Sequence, residues 1–225
     1  MARIDSLFNA DQRSSVAQAV AQAERKTAAE IVPVVAAASG RYDRAEDSAG
    51  LWLGVVLMII VWSIYPMPIV EPGAWGGTPA VIQLIFMLAA LLAGFFVGAI
   101  VAAKISVLRR LFTPAAQMRE EVEAKARAVF FDKRVHHTAG GSGLLIYVSL
   151  FEHMATVLAD QATLEKLGAA AVRTLCDELT GRLKAGDITQ ALCGTIALAG
   201  DKLGEVMPRL ADDANELADA LVVIE

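Results

Sequence analysis

The sequence predicts an α/β protein: a small mixed sheet flanked by helices, with a two-helix transmembrane hairpin inserted into it. Three observations carry this. Two apolar runs, residues 50–70 and 80–103, contain no Lys, Arg, Asp, Glu or His. Short apolar runs typical of buried strands, residues 31–35 and 144–148, lie on either side of them. Amphipathic helical stripes precede the first run and dominate the chain after the second.

In chain order, residues 6–26 are polar and Ala-rich, with Phe8, Val16, Val20 and Ala23 on one helical stripe. Residues 31–35 read as a strand, and Pro33, which has no N–H to donate, assigns it to an edge or a bulge. Residues 43–48 carry helix into the first span. The hairpin then occupies 49–103, with spans at 49–70 and 80–103 and a turn-forming loop at 71–79 that holds no Lys or Arg. A bilayer core of roughly 30 Å needs about 20 apolar residues in helical form, a length that both runs meet. The Pro66 and Pro68 pair ends or kinks the first helix.

Basic residues flank the outer ends: Arg41 and Arg44 before the first span, Lys104, Arg109 and Arg110 after the second. The positive-inside rule therefore puts both termini in the cytoplasm and the loop outside, as a multi-pass protein of the plasma (inner) membrane. Trp52 at one end of the first span, with Trp62 and Tyr65 towards the other, fits interfacial aromatic belts. Small residues recur at spacing four: Gly50 and Gly54, then Ala90, Gly94, Gly98 and Ala102. They form a groove on each helix at matching depth, where the two backbones can approach closely. Homo-oligomerisation through one exposed groove is the other use of such a face. Gln83 is the only strongly polar side chain deep in either run, so an ion or proton pathway is not expected.

After the hairpin, Thr113 and Pro114 suit the start of a helix, and Met118, Val122, Ala126, Val129 and Phe130 supply its apolar stripe. Residues 139–141 are expected to stop it. Residues 144–148 form a continuous apolar strand buried on both faces, and Glu152 and His153 make a tight turn into a second strand at 155–159. Leu167, Ala171, Leu175, Leu179 and Leu183 then repeat at four-residue steps until Gly186. Asp187 caps a last helix with the stripe Ile188, Leu192, Ile196 and Leu203, which Pro208 closes. Residues 1–48 and 104–225 thus make one discontinuous domain.

Composition narrows the function classes. The hydrophobic share is 56% and the formal charge −5, with a pI of about 5.3 and a mean hydropathy of +0.50. No basic footprint for nucleic acid exists. The first apolar run lies behind a polar segment, so a cleaved leader is not expected. Cys176 and Cys193, both on apolar helix faces, read as small buried hydrophobes. Phosphate-cradling Gly-Lys loops, His-Glu-x-x-His helices, Cys-Arg phosphatase loops and nucleophile elbows are all missing.

Residues 30–35 (Glu-Ile-Val-Pro-Val-Val), 44–47 (Arg-Ala-Glu-Asp), 143–150 (Gly-Leu-Leu-Ile-Tyr-Val-Ser-Leu) and 157–160 (Val-Leu-Ala-Asp) resemble the TPM domain family. That family is named for a thylakoid lumen protein, a photosystem repair protein and a receptor auxiliary protein. The likeness covers approximately residues 25–48 and 113–207. It implies a small sheet flanked by helices, a weak acid-phosphatase activity, and binding of a divalent cation by acidic loop residues at one end of the sheet. This chain departs from the family pattern in three ways. The span pair lies inside the domain, where typical members follow a signal peptide and place an anchor after the domain. The acidic Gly-rich loop before the central strand is replaced by residues 136–142 (His-His-Thr-Ala-Gly-Gly-Ser). The Gly-rich stretch after the following strand is replaced by Ala159, Asp160 and Gln161.

His136, His137 and Asp160 are the candidate metal ligands, because imidazole and carboxylate at one sheet end can hold a divalent ion. The competing roles are C-capping for the histidines and N-capping for Asp160. Glu30 reads as a solvated strand-end carboxylate. Asp212, Asp213, Glu216 and Asp219 lack the glycine and spacing of a calcium loop and read as a solvated tail. The expected function is a membrane-tethered cytosolic binding or assembly module without defined catalysis, in contact with the lipid bilayer and a protein partner. The alternative is a weak divalent-metal-dependent acid phosphatase.

Overall fold

A computed structural model describes residues 8–64, 80–135, 142–209 and 220–224. Tyr65, Pro66, Pro68, the 71–79 loop, His136, His137 and the Asp212 to Asp219 cluster lie outside the described residues. Two compact units are present: residues 1–40 with 118–225, and residues 41–117.

The first unit is a mixed α/β fold. Among the described residues its sheet has four strands in the order β3-β2-β1-β4: β1 (Glu30–Ala36), β2 (Gly143–Ser149), β3 (Met154–Ala159) and β4 (Val222–Ile224). β1 runs parallel to both β2 and β4. β3 is antiparallel to β2, joined to it by the tight turn expected at Glu152 and His153. His153 takes the left-handed conformation (φ 53°), one that His tolerates better than most residues.

β2 is buried on both faces because helices cover both. Leu144, Ile146 and Val148 meet α1 (Ala10–Glu24), α7 (Ala169–Leu183) and α8 (Ile188–Val206) through Val16, Val20, Leu175, Leu179, Leu192 and Ile196. Leu145 and Tyr147 point the other way, onto Val122, Ala126, Val129 and Phe130 of α5 (Ala115–Asp132). Each fully buried aliphatic side chain here contributes about 1.5–3 kcal/mol. α1 starts at a capping box in which Asn9 and Gln12 exchange side-chain and backbone hydrogen bonds. Cys176 and Cys193 are free thiols packed against the first of these clusters.

Several expectations need correction. β1 is central, flanked by β2 and β4, so Pro33 does not mark an edge strand. The backbone explains how. Glu30 N–H and Ala36 C=O bond towards β2, whereas Ile31 N–H bonds Glu24 and Ala37 N–H bonds Ile224 on the opposite side. Pro33 shares the parity of Ile31 and Ala37, and β4 pairs only from Val34 onward. Its missing donor therefore faces a stretch that β4 does not reach. The four-residue repeat from Leu167 to Leu183 is not one helix: α6 (Gln161–Leu167) ends at Gly168, whose φ of 84° breaks it from α7. α5 closes at Asp132, before residues 139–141, with Arg134 left-handed (φ 55°) and Val135 N–H returning to Phe130 C=O. Residues 222–224, a tail run in the sequence, add the fourth strand.

The second unit holds α2 (Asp43–Ile64) and α3 (Ala80–Lys104), followed by a short helix the sequence did not announce, α4 (Ser106–Leu111). α2 and α3 are antiparallel, since Gly50 lies against Phe95, Gly98 and Ala99 while Gly54 lies against Leu91, Gly94 and Phe95.

Candidate functional site

Parallel β1 and β2 end together, Ala36 opposite Ser149. In open α/β sheets the carboxyl ends of the strands are where ligands collect. At this end the described residues hold a buried polar cluster built from Ser39, Tyr147, Ser149 and Glu152. Tyr147 and Ser149 lie two apart on β2 and so share one face. Tyr147 and Glu152 are wholly buried, and Ser149 is 1% exposed. Glu152 Oε1 accepts the backbone N–H of Ser39 at 2.7 Å and that of Gly40 at 3.3 Å. Its Oε2 accepts the Ser149 hydroxyl. Ser39 Oγ donates to Ser149 Oγ at 2.9 Å and lies 3.0 Å from the Tyr147 hydroxyl.

Proton counting orders this chain. A carboxylate only accepts, and each hydroxyl has one proton to give. Ser149 gives its proton to Glu152 and Ser39 gives its own to Ser149, so Tyr147 donates to Ser39. Burial pushes the Tyr147 phenol above its ordinary value, and the nearby Glu152 carboxylate adds to this, against the lowering effect of the Ser39 and Ser149 hydrogen bonds. The result is a chain of aligned hydroxyls that pins residues 37–40 to the β2–β3 turn. Ser149, donating to Glu152 and accepting from Ser39, is the middle link of this tie.

On the opposite face of the same sheet end lies a cleft of about 300 Å³. Val148, Leu150, Met154, Leu183 and Ile188 make it largely apolar, with His153 and Lys184 among its lining residues.

Asp160 and Glu30 sit at the other, amino end of β1 and β2. Asp160 caps α6, its Oδ1 accepting Thr163 N–H, while its Oδ2 accepts Gly143 N–H, both at 2.7 Å. Both carboxylate oxygens are thereby engaged with backbone. His136 and His137 lie outside the described residues. Glu30 is 8% exposed, buried where the sequence suggested a solvated end.

In the second unit, Gly50, Gly54, Gly94, Gly98 and Ala102 are buried and Ala90 is half-buried. A Cβ placed on Gly94 would lie 2.6 Å from Gly54 Cα, and one on Gly98 would lie 2.8 Å from Gly50 Cα. The helices thus touch backbone to backbone, a separation that only glycine permits.

Sequence reasoning missed the Glu152 cluster. Its one local signal was a pair of hydroxyl residues, Tyr147 and Ser149, two apart in an otherwise apolar strand.

No family model matches the sequence, and no curated protein matches it. Among solved structures, the NMR structure of BA42 protein from the psychrophilic bacterium Bizionia argentinensis is similar, with a TM-score of 0.57. The match covers 99% of this chain and 99% of that chain at 15% identity, a level at which the likeness concerns the fold alone.

Proposed function

We propose that the chain is a membrane-tethered binding module of the TPM type, in which the α2–α3 hairpin spans a bilayer and the α/β unit serves as a cytoplasmic docking domain. One observation carries the tether: the outward faces of α2 and α3 are apolar and uncovered. Trp52, Leu92 and Phe96 are 63%, 58% and 61% exposed, and only 17% and 11% of the most apolar windows of the two helices are buried. A core helix of a soluble protein covers such side chains; lipid is the solvent that suits them. The 22 and 25 residues of α2 and α3 rise about 33 and 37 Å, enough for a hydrocarbon core of roughly 30 Å. Lys104 closes α3, and Arg41 and Arg44 stand at the start of α2, in keeping with a cytoplasmic side for those ends.

The binding reading is preferred to the phosphatase because the two buried carboxylates, Glu152 and Asp160, are engaged with protein donors. Glu152 and Asp160 each accept at both oxygens.

The test is labelling of intact cells with an impermeant thiol reagent, in a background with Cys176→Ala and Cys193→Ala. Gly76→Cys, in the loop, is expected to react from outside, and Lys184→Cys only after permeabilisation. The reverse pattern overturns the topology. Release of the protein from membranes by alkaline carbonate overturns the tether itself.

A further inference from the structure

We infer that α4 is an interfacial helix, seated in the headgroup layer of an acidic leaflet with Val107 and Leu111 inserted among the acyl chains. The inference rests on the membrane reading of α2 and α3 and deepens it. Ile105 leaves helical conformation (φ −107°, ψ 101°), so α4 begins in a new direction and does not prolong α3. It starts two residues after α3 ends at Lys104, the depth at which a spanning helix would leave the hydrocarbon.

α4 has two unlike sides. Arg109 forms an ion pair with Glu46 of α2 at 3.4 Å, and both side chains are largely covered (16% and 24% exposed), which ties one side of α4 to the foot of the hairpin. Val107 and Leu111, four apart, share a face about 160–200° from Arg109. They are 79% and 77% exposed, among the most exposed large apolar side chains of the described residues. Thus the ion pair turns the apolar pair away from the hairpin. Arg110 lies on the flank of that apolar face, and Lys104 precedes it in the chain. Long basic side chains beside an apolar stripe reach up to headgroups while the stripe descends. Basic residues beside the apolar pair are attracted to an anionic surface, which selects acidic lipid as the occupant.

The experiment uses the full chain carrying Cys176→Ala and Cys193→Ala, in vesicles of phosphatidylcholine with phosphatidylglycerol. A nitroxide is attached through Val107→Cys, Leu111→Cys, Leu92→Cys or Lys184→Cys, and its collisions with oxygen and with a water-soluble nickel chelate are compared. Labels at 107 and 111 are expected to favour oxygen as the label at 92 does, and the label at 184 to favour the chelate. Adding Arg110→Glu is expected to move the 107 label towards the 184 value in acidic vesicles and to leave it in place in pure phosphatidylcholine. Three outcomes overturn the inference. A chelate-accessible 107 and 111 beside an oxygen-rich 92 removes α4 from the bilayer while leaving the hairpin in it. Low collision with both reagents marks cover by protein, a second copy included. An equal Arg110→Glu effect in both lipids removes the acidic-leaflet part. A chelate-accessible 92 is a separate result and removes the membrane reading on which the inference stands.

Discussion

Glu152 Oε1 accepts the backbone N–H of Ser39 at 2.7 Å across 113 residues of sequence, joining the exit of β1 to the β2–β3 turn. Removing this carboxylate strands the N–H of half-buried Ser39 and the hydroxyl of buried Ser149. Glu152→Ala is therefore expected to cost about 1–3 kcal/mol for each buried donor left unsatisfied. Glu152→Gln keeps the volume and one acceptor, but its amide group must face Ser149 and reverse the hydroxyl chain, so its loss is expected to be smaller. Thermal unfolding of the full chain in detergent, followed by near-ultraviolet circular dichroism, measures both. Equal midpoints for wild type and Glu152→Ala would remove the structural role.

Tyr147 supplies a pH dependence with a defined sign. Its phenol is raised above 10.0 in the folded state, burial being the largest cause. Below about pH 10 both folded and unfolded chains hold this proton and nothing changes with pH. Above that value the unfolded chain releases the proton while the folded chain keeps it, so stability falls as pH rises. Tyr147→Phe is expected to lower stability by about 1 kcal/mol through the lost hydrogen bond to Ser39. It should also flatten the alkaline slope relative to wild type. Unfolding midpoints on either side of about pH 10 test this; parallel slopes for the two proteins would contradict it.

What the sequence disclosed, and what it hid, follows from range. The apolar stripe of α5, the capping of α8 by Asp187 and the two-faced burial of residues 144–148 are local patterns, and they appear in the fold as expected. α4 has six residues, fewer than two turns, too short to show a helical period. β4 has three residues and exists only because β1 offers it an open edge at Val34 to Ala36. Pro33 misled because its effect depends on which side of β1 its nitrogen faces, a property of register. The Glu152 cluster depends on register even more. Ser39 meets Tyr147 and Ser149 because Ala36 pairs with Ser149, and that pairing leaves no mark in either segment alone.

The contact between Gly54 and Gly94 makes a sharp contrast with a nearby lipid-facing position. A Cβ at Gly94 would lie 2.6 Å from Gly54 Cα and 2.9 Å from its nitrogen, and backbone cannot turn aside as a side chain can. Gly94→Leu is expected to push α2 and α3 apart and cost about 1–3 kcal/mol, as overpacking a close contact does. Leu92 is 58% exposed, and Leu92→Ala is expected to cost little. Titration of the detergent-solubilised protein with dodecyl sulfate, read by helical circular dichroism, compares the two. Similar losses would mean that the glycine seam does not hold the hairpin together.

Asp160 separates capping from metal binding. Its two oxygens accept Thr163 N–H and Gly143 N–H, closing the first turn of α6 and the start of β2 at once. Asp160→Ala removes an N-cap, about 0.5–2 kcal/mol, and orphans a buried N–H, a further cost of about 1–3 kcal/mol. Asp160→Asn keeps one acceptor oxygen for the cap but turns an amide N–H towards the second donor, so it is expected to fall between wild type and alanine. If capping is the whole role, this ranking is the same with and without zinc, manganese or calcium, because no charge is being neutralised by an ion. A bound divalent ion would behave otherwise. It would raise the wild-type midpoint, lose that increment as imidazole protonates near its ordinary value of about 6.5, and lose it again in His136→Ala and Asp160→Ala. Melting curves of the full chain with each cation, above and below that pH, decide between the two. The capping ranking without any cation shift is the expected result. A shift that both substitutions abolish would give His136 and Asp160 a shared ligand and return the metal-dependent phosphatase to first place.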